Sequence, residues 1–76
     1  MKPDLKNISN SQITNAIDEW IHSERDRRVL KARLIDGLTY AQISDRLYKE
    51  DKTILSERQI QNIIYRTEDI LFKHFN

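Results

Sequence analysis

The sequence has no cysteine, only one glycine and only one proline among its 76 residues. Without cysteine, the chain has no disulfide framework and no thiolate ligand for a metal. So few glycines and prolines leave little turn chemistry for β-hairpins, which favours a mostly helical chain. No apolar run is long enough to span a bilayer, and no apolar signal segment follows Met1-Lys2-Pro3-Asp4. We therefore expect a cytoplasmic protein with no membrane partner.

Motifs that carry catalytic or metal chemistry are also missing from the sequence. His22 and His74 are far apart, and neither belongs to a metal-ligand spacing; there is no glycine-rich phosphate loop. The carboxylates are scattered among basic residues, as solubilising side chains usually are. A chain of this length also offers little volume for a substrate pocket. We expect no enzymatic activity, no catalytic or metal-binding residue and no cofactor.

The charge is nearly balanced, with 13 lysines and arginines against 12 aspartates and glutamates and a net charge of +1. This is low for a DNA-binding protein, because phosphate neutralisation supplies most non-specific affinity. Basic residues are densest in one segment, at Arg25, Arg27, Arg28, Lys31 and Arg33. Two interpretations of this cluster stay open. It contacts phosphate or a partner protein, or it is a solvated helix face with ion pairs to Glu24, Asp26 and Asp36.

Four helices are predicted, each beginning after a hydroxyl-bearing N-cap residue. The predicted caps are Ser9, Ser23, Thr39 and Ser56, and in three cases a glutamine three residues later (Gln12, Gln42 and Gln59) completes a capping box. Asp36-Gly37 ends the second helix, the third ends near Tyr48, and residues 49–53 form a loop. The last helix runs to about His74. Residues 1–8 are predicted to be a flexible arm, and 9–76 a single all-α domain.

Apolar residues recur at intervals of three and four within the predicted helices, which indicates their buried faces. The predicted core residues are Ile13, Ala16, Ile17, Trp20 and Ile21, then Val29, Leu30 and Leu34, then Ala41, Ile43 and Leu47, and finally Ile60, Ile63, Ile64, Thr67, Ile70, Leu71 and Phe75. Ile54-Leu55 is expected to fold back onto the core. Phe72 lies off the stripe of the last helix and is a candidate partner contact.

The opposite face of the last helix is polar in its N-terminal half, at Arg58, Gln61, Asn62 and Tyr65. A recognition helix needs such a face to enter the major groove of DNA. Arginine pairs bidentately with guanine, and asparagine or glutamine with adenine. Tyr65 and Arg66 could also touch phosphates. Any amphipathic surface helix also has a polar outer face, so this pattern alone does not require DNA.

Three segments resemble the C-terminal, promoter-binding domain (region 4) of bacterial sigma factors and the related response-regulator helix-turn-helix domains. They are residues 23–30 (SERDRRVL), 36–47 (DGLTYAQISDRL) and 55–66 (LSERQIQNIIYR). The middle segment is the most specific of the three. The resemblance covers residues 23–75 and implies a helix-turn-helix of the stand-alone kind that small phage and mobile-element regulators carry.

The resemblance also implies functional positions. By it, the residues at or beside DNA are Ser56, Glu57, Arg58, Gln59, Gln61, Asn62 and Arg66, and the residues that pack the last two helices together are Ile43, Leu47, Ile60 and Ile64. The sequence departs from the family between Leu47 and Ser56, where eight residues replace a tight turn. This insertion could extend the third helix, cross the DNA backbone through Lys49 and Lys52, or change the angle between the helices.

These observations predict a regulator of transcription that binds duplex DNA and inserts helix 57–74 into the major groove. Arg58, Gln61 and Asn62 are the predicted base readers. One helix reads few bases, so a homodimer on two half-sites is a candidate assembly. RNA polymerase is a second candidate partner. The alternative is a protein-interaction module that binds polymerase or another regulator without contacting DNA, with Trp20, Phe72 and Phe75 as a candidate dimer seam.

Overall fold

The computed structural model describes residues 8–75, which form four α-helices and contain no strand. The helices are α1 (Asn10–Trp20), α2 (Glu24–Leu34), α3 (Tyr40–Asp51) and α4 (Glu57–Phe75). The predicted all-α class and the four helices are confirmed. Of the predicted arm, residues 1–7 lie outside the described residues, whereas Ile8 is half-buried and packs against the core. None of the four helices combines the length and the apolar character needed to cross a membrane.

The predicted N-caps form the expected hydrogen bonds. Ser9 and Gln12, and likewise Thr39 and Gln42, satisfy each other's backbone N–H groups in reciprocal capping boxes. The Ser23 hydroxyl accepts a hydrogen bond from the backbone N–H of Asp26. Before α4, the Ser56 hydroxyl accepts from the Gln59 N–H at 3.1 Å, and the Gln59 side chain accepts from the Ser56 N–H at 2.8 Å. These side chains therefore fix where each helix begins.

The core has two buried clusters, and α2 contributes to both. The first core cluster lies where α2, α3 and α4 meet and comprises Val29, Ala32, Ile43, Leu47, Leu55, Ile60, Ile63 and Ile64. The second core cluster joins α1, α2 and the C-terminal half of α4 through Ile13, Ala16, Ile17, Ile21, Leu30 and Leu71. Adjacent residues of α2 point into different clusters, since Val29 belongs to the first and Leu30 to the second. The second helix is thus the element that joins the two halves of the core.

Several predicted core residues are exposed. Trp20 is 43% exposed at the last position of α1, where it lies against His74 with ring centroids 4.7 Å apart. Ile70 is 40% exposed, and Ala41 is exposed at the start of α3. Phe72, predicted to lie off the stripe, is buried instead. In the C-terminal half of α4, Leu71 packs with residues of both α1 and α2 in the second core cluster, so this part of the helix buries more than the stripe of a single helix–helix contact.

The segment between Leu47 and Ser56 differs from the predicted loop. Helix α3 continues through Asp51, and only residues 52–56 connect it to α4. Lys52 ends α3 in the left-handed conformation (φ 63°), and its N–H donates to the carbonyl oxygen of Tyr48. Of the three roles considered for the insertion, extension of the third helix is the one observed. Leu55 is buried as expected, but Ile54 is 81% exposed.

Polar contacts hold the end of α3 and the connection in place. The Ser44 hydroxyl donates to the carbonyl oxygen of Leu55 at 2.7 Å. Asp51 pairs with Arg28 of α2 at 2.7 Å and accepts hydrogen bonds from the hydroxyl and N–H of Thr53. The Thr53 hydroxyl is the main cause that lowers the pKa of Asp51 below 3.8, and the pairing with Arg28 lowers it further. Asp51 is therefore ionised at neutral pH. Its contacts with Arg28 and Thr53 tie the start of the connection to α2.

Candidate nucleic-acid interface

The exposed face of α4 borders an open depression, called here the polar concavity. Its lining residues are Tyr40 from the start of α3 and Glu57, Arg58, Gln61, Asn62 and Tyr65 from α4. The α4 residues share one side of the helix because they recur at intervals of three and four. Arg58 and Asn62 are exposed, and Tyr65 is 58% exposed. The residues predicted to read bases are therefore brought together, and neither α1 nor α2 contributes to the lining.

Arg58 differs from the other basic residues of the described chain, 8–75. Within that range it is the one lysine or arginine with no ion pair, side-chain hydrogen bond or cation–π contact. The others are engaged, as with Lys31 and Asp18 at 2.7 Å or Arg46 and Asp36 at 2.6 Å. A guanidinium without an internal partner keeps all five N–H donors for a ligand. Arg58 is thus the cation most available for an external acceptor.

A row of side chains lies across the polar concavity. The Nε2 of Gln61 donates to the hydroxyl oxygen of Tyr65 at 2.9 Å. Tyr40, from the start of α3, lines the same depression beside Tyr65. Partial burial raises the pKa of Tyr40 above 10.0, and the neighbouring Tyr65 raises it further, while Arg33, 4.8 Å from the centre of the Tyr40 ring, acts in the opposite direction. The Tyr40 hydroxyl therefore keeps its proton at neutral pH.

Tyr40 was not among the residues singled out from the sequence. The sequence does predict that Tyr40 is the first residue of α3, because Thr39 is the N-cap. What the sequence does not show is that this end of α3 lies beside the exposed face of α4. That adjacency depends on how the two helices pack through the first core cluster.

Arg66 has a structural partner rather than a free head group. It pairs with Asp26 of α2 at 2.9 Å, and Arg25 pairs with the same carboxylate at 3.2 Å. Asp26 is buried, with 7% of its surface exposed. Its place could have been read from the sequence, since Asp26, Val29 and Leu30 follow the spacing of a buried face. Two arginines share one carboxylate, so this group carries a net positive charge at the edge of α4.

The remaining predicted contact residues are spread over other surfaces. Lys49 pairs with Asp45 on α3 at 2.9 Å, and Lys52 lies over the ring of Tyr48 at 5.1 Å from its centre. Neither lysine lines the polar concavity. Ser56 and Gln59 form hydrogen bonds with each other that cap the start of α4. Glu57 is the acidic residue among those that line the polar concavity.

The basic cluster of α2 is largely an ion-paired helix face. Arg28 pairs with Glu24 as well as Asp51, and the Nε of Arg27 donates to the carbonyl oxygen of Ile21. Asp36, one of the three ion-pair partners in the second interpretation of the cluster, pairs with Arg46 of α3 instead. These contacts favour the second interpretation of the cluster, in which its charge is used within the fold.

No group of three or more histidine, cysteine, aspartate or glutamate side chains that could hold a metal ion occurs within residues 8–75. Comparisons with protein-family models, curated proteins and solved structures give no match to this chain. The sigma-factor resemblance and the helix-turn-helix therefore stay predictions that depend on the residues quoted for them.

Proposed function

We propose that this protein is a regulator of transcription that binds duplex DNA by inserting the N-terminal half of α4 into the major groove. The observation that carries this proposal is Arg58, the unpaired guanidinium in the polar concavity. Beside it lie the amide side chains of Gln61 and Asn62. An unpaired arginine next to two amides is the set of side chains that reads guanine and adenine edges.

Two features of the surroundings support this assignment. Arg25 and Arg66 share Asp26, so a net positive charge borders α4 and can face phosphate. The N-terminus of α4 adds the positive end of the helix dipole close to Arg58. Glu57 is the opposing charge, and in a groove a glutamate can accept a hydrogen bond from the amino group of cytosine.

The ion pairing also limits how strongly the protein can hold DNA of arbitrary sequence. Most described lysines and arginines already have an acidic or carbonyl partner, so few phosphates would be neutralised on binding. Specific affinity would then depend on base contacts or on a second copy at a second half-site. The homodimer remains part of this proposal.

A protein-interaction module is the second candidate function, and a specific observation favours it. Trp20, Tyr48 and Ile54 are large apolar or aromatic side chains that are 43%, 48% and 81% exposed. Such residues are common at the centres of protein interfaces. In this alternative the partner is RNA polymerase or another regulator, and α4 does not enter DNA.

A salt titration on mixed-sequence duplex DNA tests the proposed function. Fluorescence anisotropy should detect binding at low salt, and the logarithm of the binding constant should fall linearly with the logarithm of salt concentration. With few free cations we expect about two to four phosphate contacts and a slope of roughly −2 to −4, since each neutralised phosphate contributes about −0.9. An absence of binding at low salt would contradict the proposal and favour the interaction module.

A further inference from the structure

The side-chain amide of Gln61 is held by a hydrogen bond that fixes which of its atoms face outward. One of its two N–H groups is donated to the Tyr65 hydroxyl at 2.9 Å. A glutamine amide has two donors and one acceptor oxygen. The bond to Tyr65 leaves one N–H and the Oε1 atom, which have no other side-chain partner among residues 8–75.

We propose that Tyr65 is a positioning residue that sets Gln61 to read adenine next to a guanine read by Arg58. This inference rests on the proposed function. Adenine presents an acceptor at N7 and a donor at its N6 amino group, which match the remaining N–H and Oε1 of Gln61. Guanine presents two acceptors, N7 and O6, and one of them would face Oε1 without a proton between them.

The hydrogen bond to Tyr65 restricts the Gln61 side chain, which would otherwise be free to rotate. A free glutamine side chain samples many rotamers, and ordering it on binding has an entropy cost. The bond to Tyr65 lowers that cost, because the amide is held before DNA arrives. Tyr40 lines the same depression from the start of α3.

Arg58, Gln61 and Asn62 also lie at a spacing that suits adjacent bases. Arg58 precedes Gln61 by three residues and Asn62 by four, so their side chains are neighbours on the helix surface about 5–6 Å apart at Cβ. Base pairs are stacked about 3.4 Å apart along the duplex. With α4 in a single placement in the groove, Arg58 and Gln61 can therefore reach a guanine and a neighbouring adenine.

The experiment is selection of duplexes from a library with a randomised central segment, followed by sequencing of the bound fraction. It uses the full chain and four variants, Arg58→Ala, Gln61→Ala, Tyr65→Phe and Tyr48→Phe. Tyr48→Phe is the matched control, since it removes one hydroxyl from an exposed tyrosine of α3 outside the polar concavity. Circular dichroism checks that every variant is folded.

In the aligned sequences of the bound duplexes, the wild-type protein is expected to enrich guanine at one position (the guanine column) and adenine at the neighbouring position (the adenine column). Arg58→Ala should lose the guanine preference, and Gln61→Ala should lose the adenine preference. The adenine preference should be about tenfold, within the range of a good bidentate pair. Tyr65→Phe should reduce it to about threefold or less while the guanine column stays, because the loss of orientation removes part of a bidentate contact. Tyr48→Phe should change neither column.

Two other outcomes contradict specific statements. If the guanine column depends on Arg58 but Tyr65→Phe keeps the full adenine preference, the positioning role of Tyr65 is wrong and the proposed function stands. If the wild-type protein enriches no sequence and retains no duplex, DNA binding itself is wrong, and the inference is overturned with it.

Discussion

Replacing Arg58 with alanine is expected to weaken binding to the duplex recovered from a randomised library by about 1–3 kcal/mol, or roughly 5- to 150-fold. The change removes a guanidinium that has no partner within residues 8–75. No internal ion pair is lost, so the stability of the fold should stay nearly constant. Anisotropy at fixed salt measures the binding constant, and urea denaturation measures the free energy of unfolding.

Lys73→Ala is the matched control for this substitution. It also removes one positive charge from α4, but at the other end of the helix, where Lys73 pairs with Asp69 at 3.3 Å. Fifteen residues of helix separate the two positions by about 22 Å. Lys73→Ala should leave binding to the selected duplex almost unchanged. Equal losses for both variants would show that only total charge matters, which contradicts a recognition role for Arg58.

Replacing Leu30 with alanine is expected to reduce the free energy of unfolding by about 2–5 kcal/mol, the range for deleting a buried leucine side chain. Leu30 is fully buried, with 0% of its surface exposed, in the second core cluster. It lies on α2, which also packs against α3 and α4. A cavity at this position would therefore loosen the helix that joins the two clusters. Small domains have a low free energy of unfolding, so a large fraction of the Leu30→Ala molecules should be unfolded.

Leu34→Ala provides the comparison within the same helix. Leu34 is half-buried at the edge of the same cluster, so the substitution removes the same atoms from a site that water can reach. Its cost should be clearly smaller than that of Leu30→Ala in urea denaturation. If the two variants lose the same stability, the placement of Leu30 at the centre of the core is wrong.

Local signals in the sequence predicted the helices well because they act over three or four residues. Ser9 with Gln12, and Thr39 with Gln42, form capping boxes wherever the chain places them. Gly37 has a positive φ of 69°, as expected for a residue that follows a helix end. These features need no knowledge of the other helices.

The positions that the sequence misjudged depend on packing between helices. Trp20 follows the buried spacing of α1, but it is the last residue of that helix, where its ring contacts His74 and stays partly exposed. Phe72 lies outside the predicted stripe and is nevertheless buried, in the half of α4 where Leu71 packs with residues of α1 and α2. The third helix extends to Asp51 although its last residues show no apolar period. Its last residue, Asp51, pairs with Arg28, 23 residues earlier in the chain.

The candidate site could be predicted in part for the same reasons. Helical spacing was enough to group Arg58, Gln61, Asn62 and Tyr65 on one face. Spacing could not show that Arg66 is engaged by buried Asp26, 40 residues away, or that Tyr40 lies beside Tyr65. Both depend on the packing of α2 and α3 against α4.

The central claim is that duplex DNA contacts the polar concavity. The most direct measurement is a titration of the isotopically labelled protein with the selected duplex, followed by the backbone and side-chain amide signals in NMR spectra. We expect the largest shifts at residues 57–65, at the side-chain amides of Gln61 and Asn62 and at Tyr40, with little change around Trp20 and His74. Shifts confined to the Trp20–His74 end, or no shifts at saturating DNA, would contradict the account.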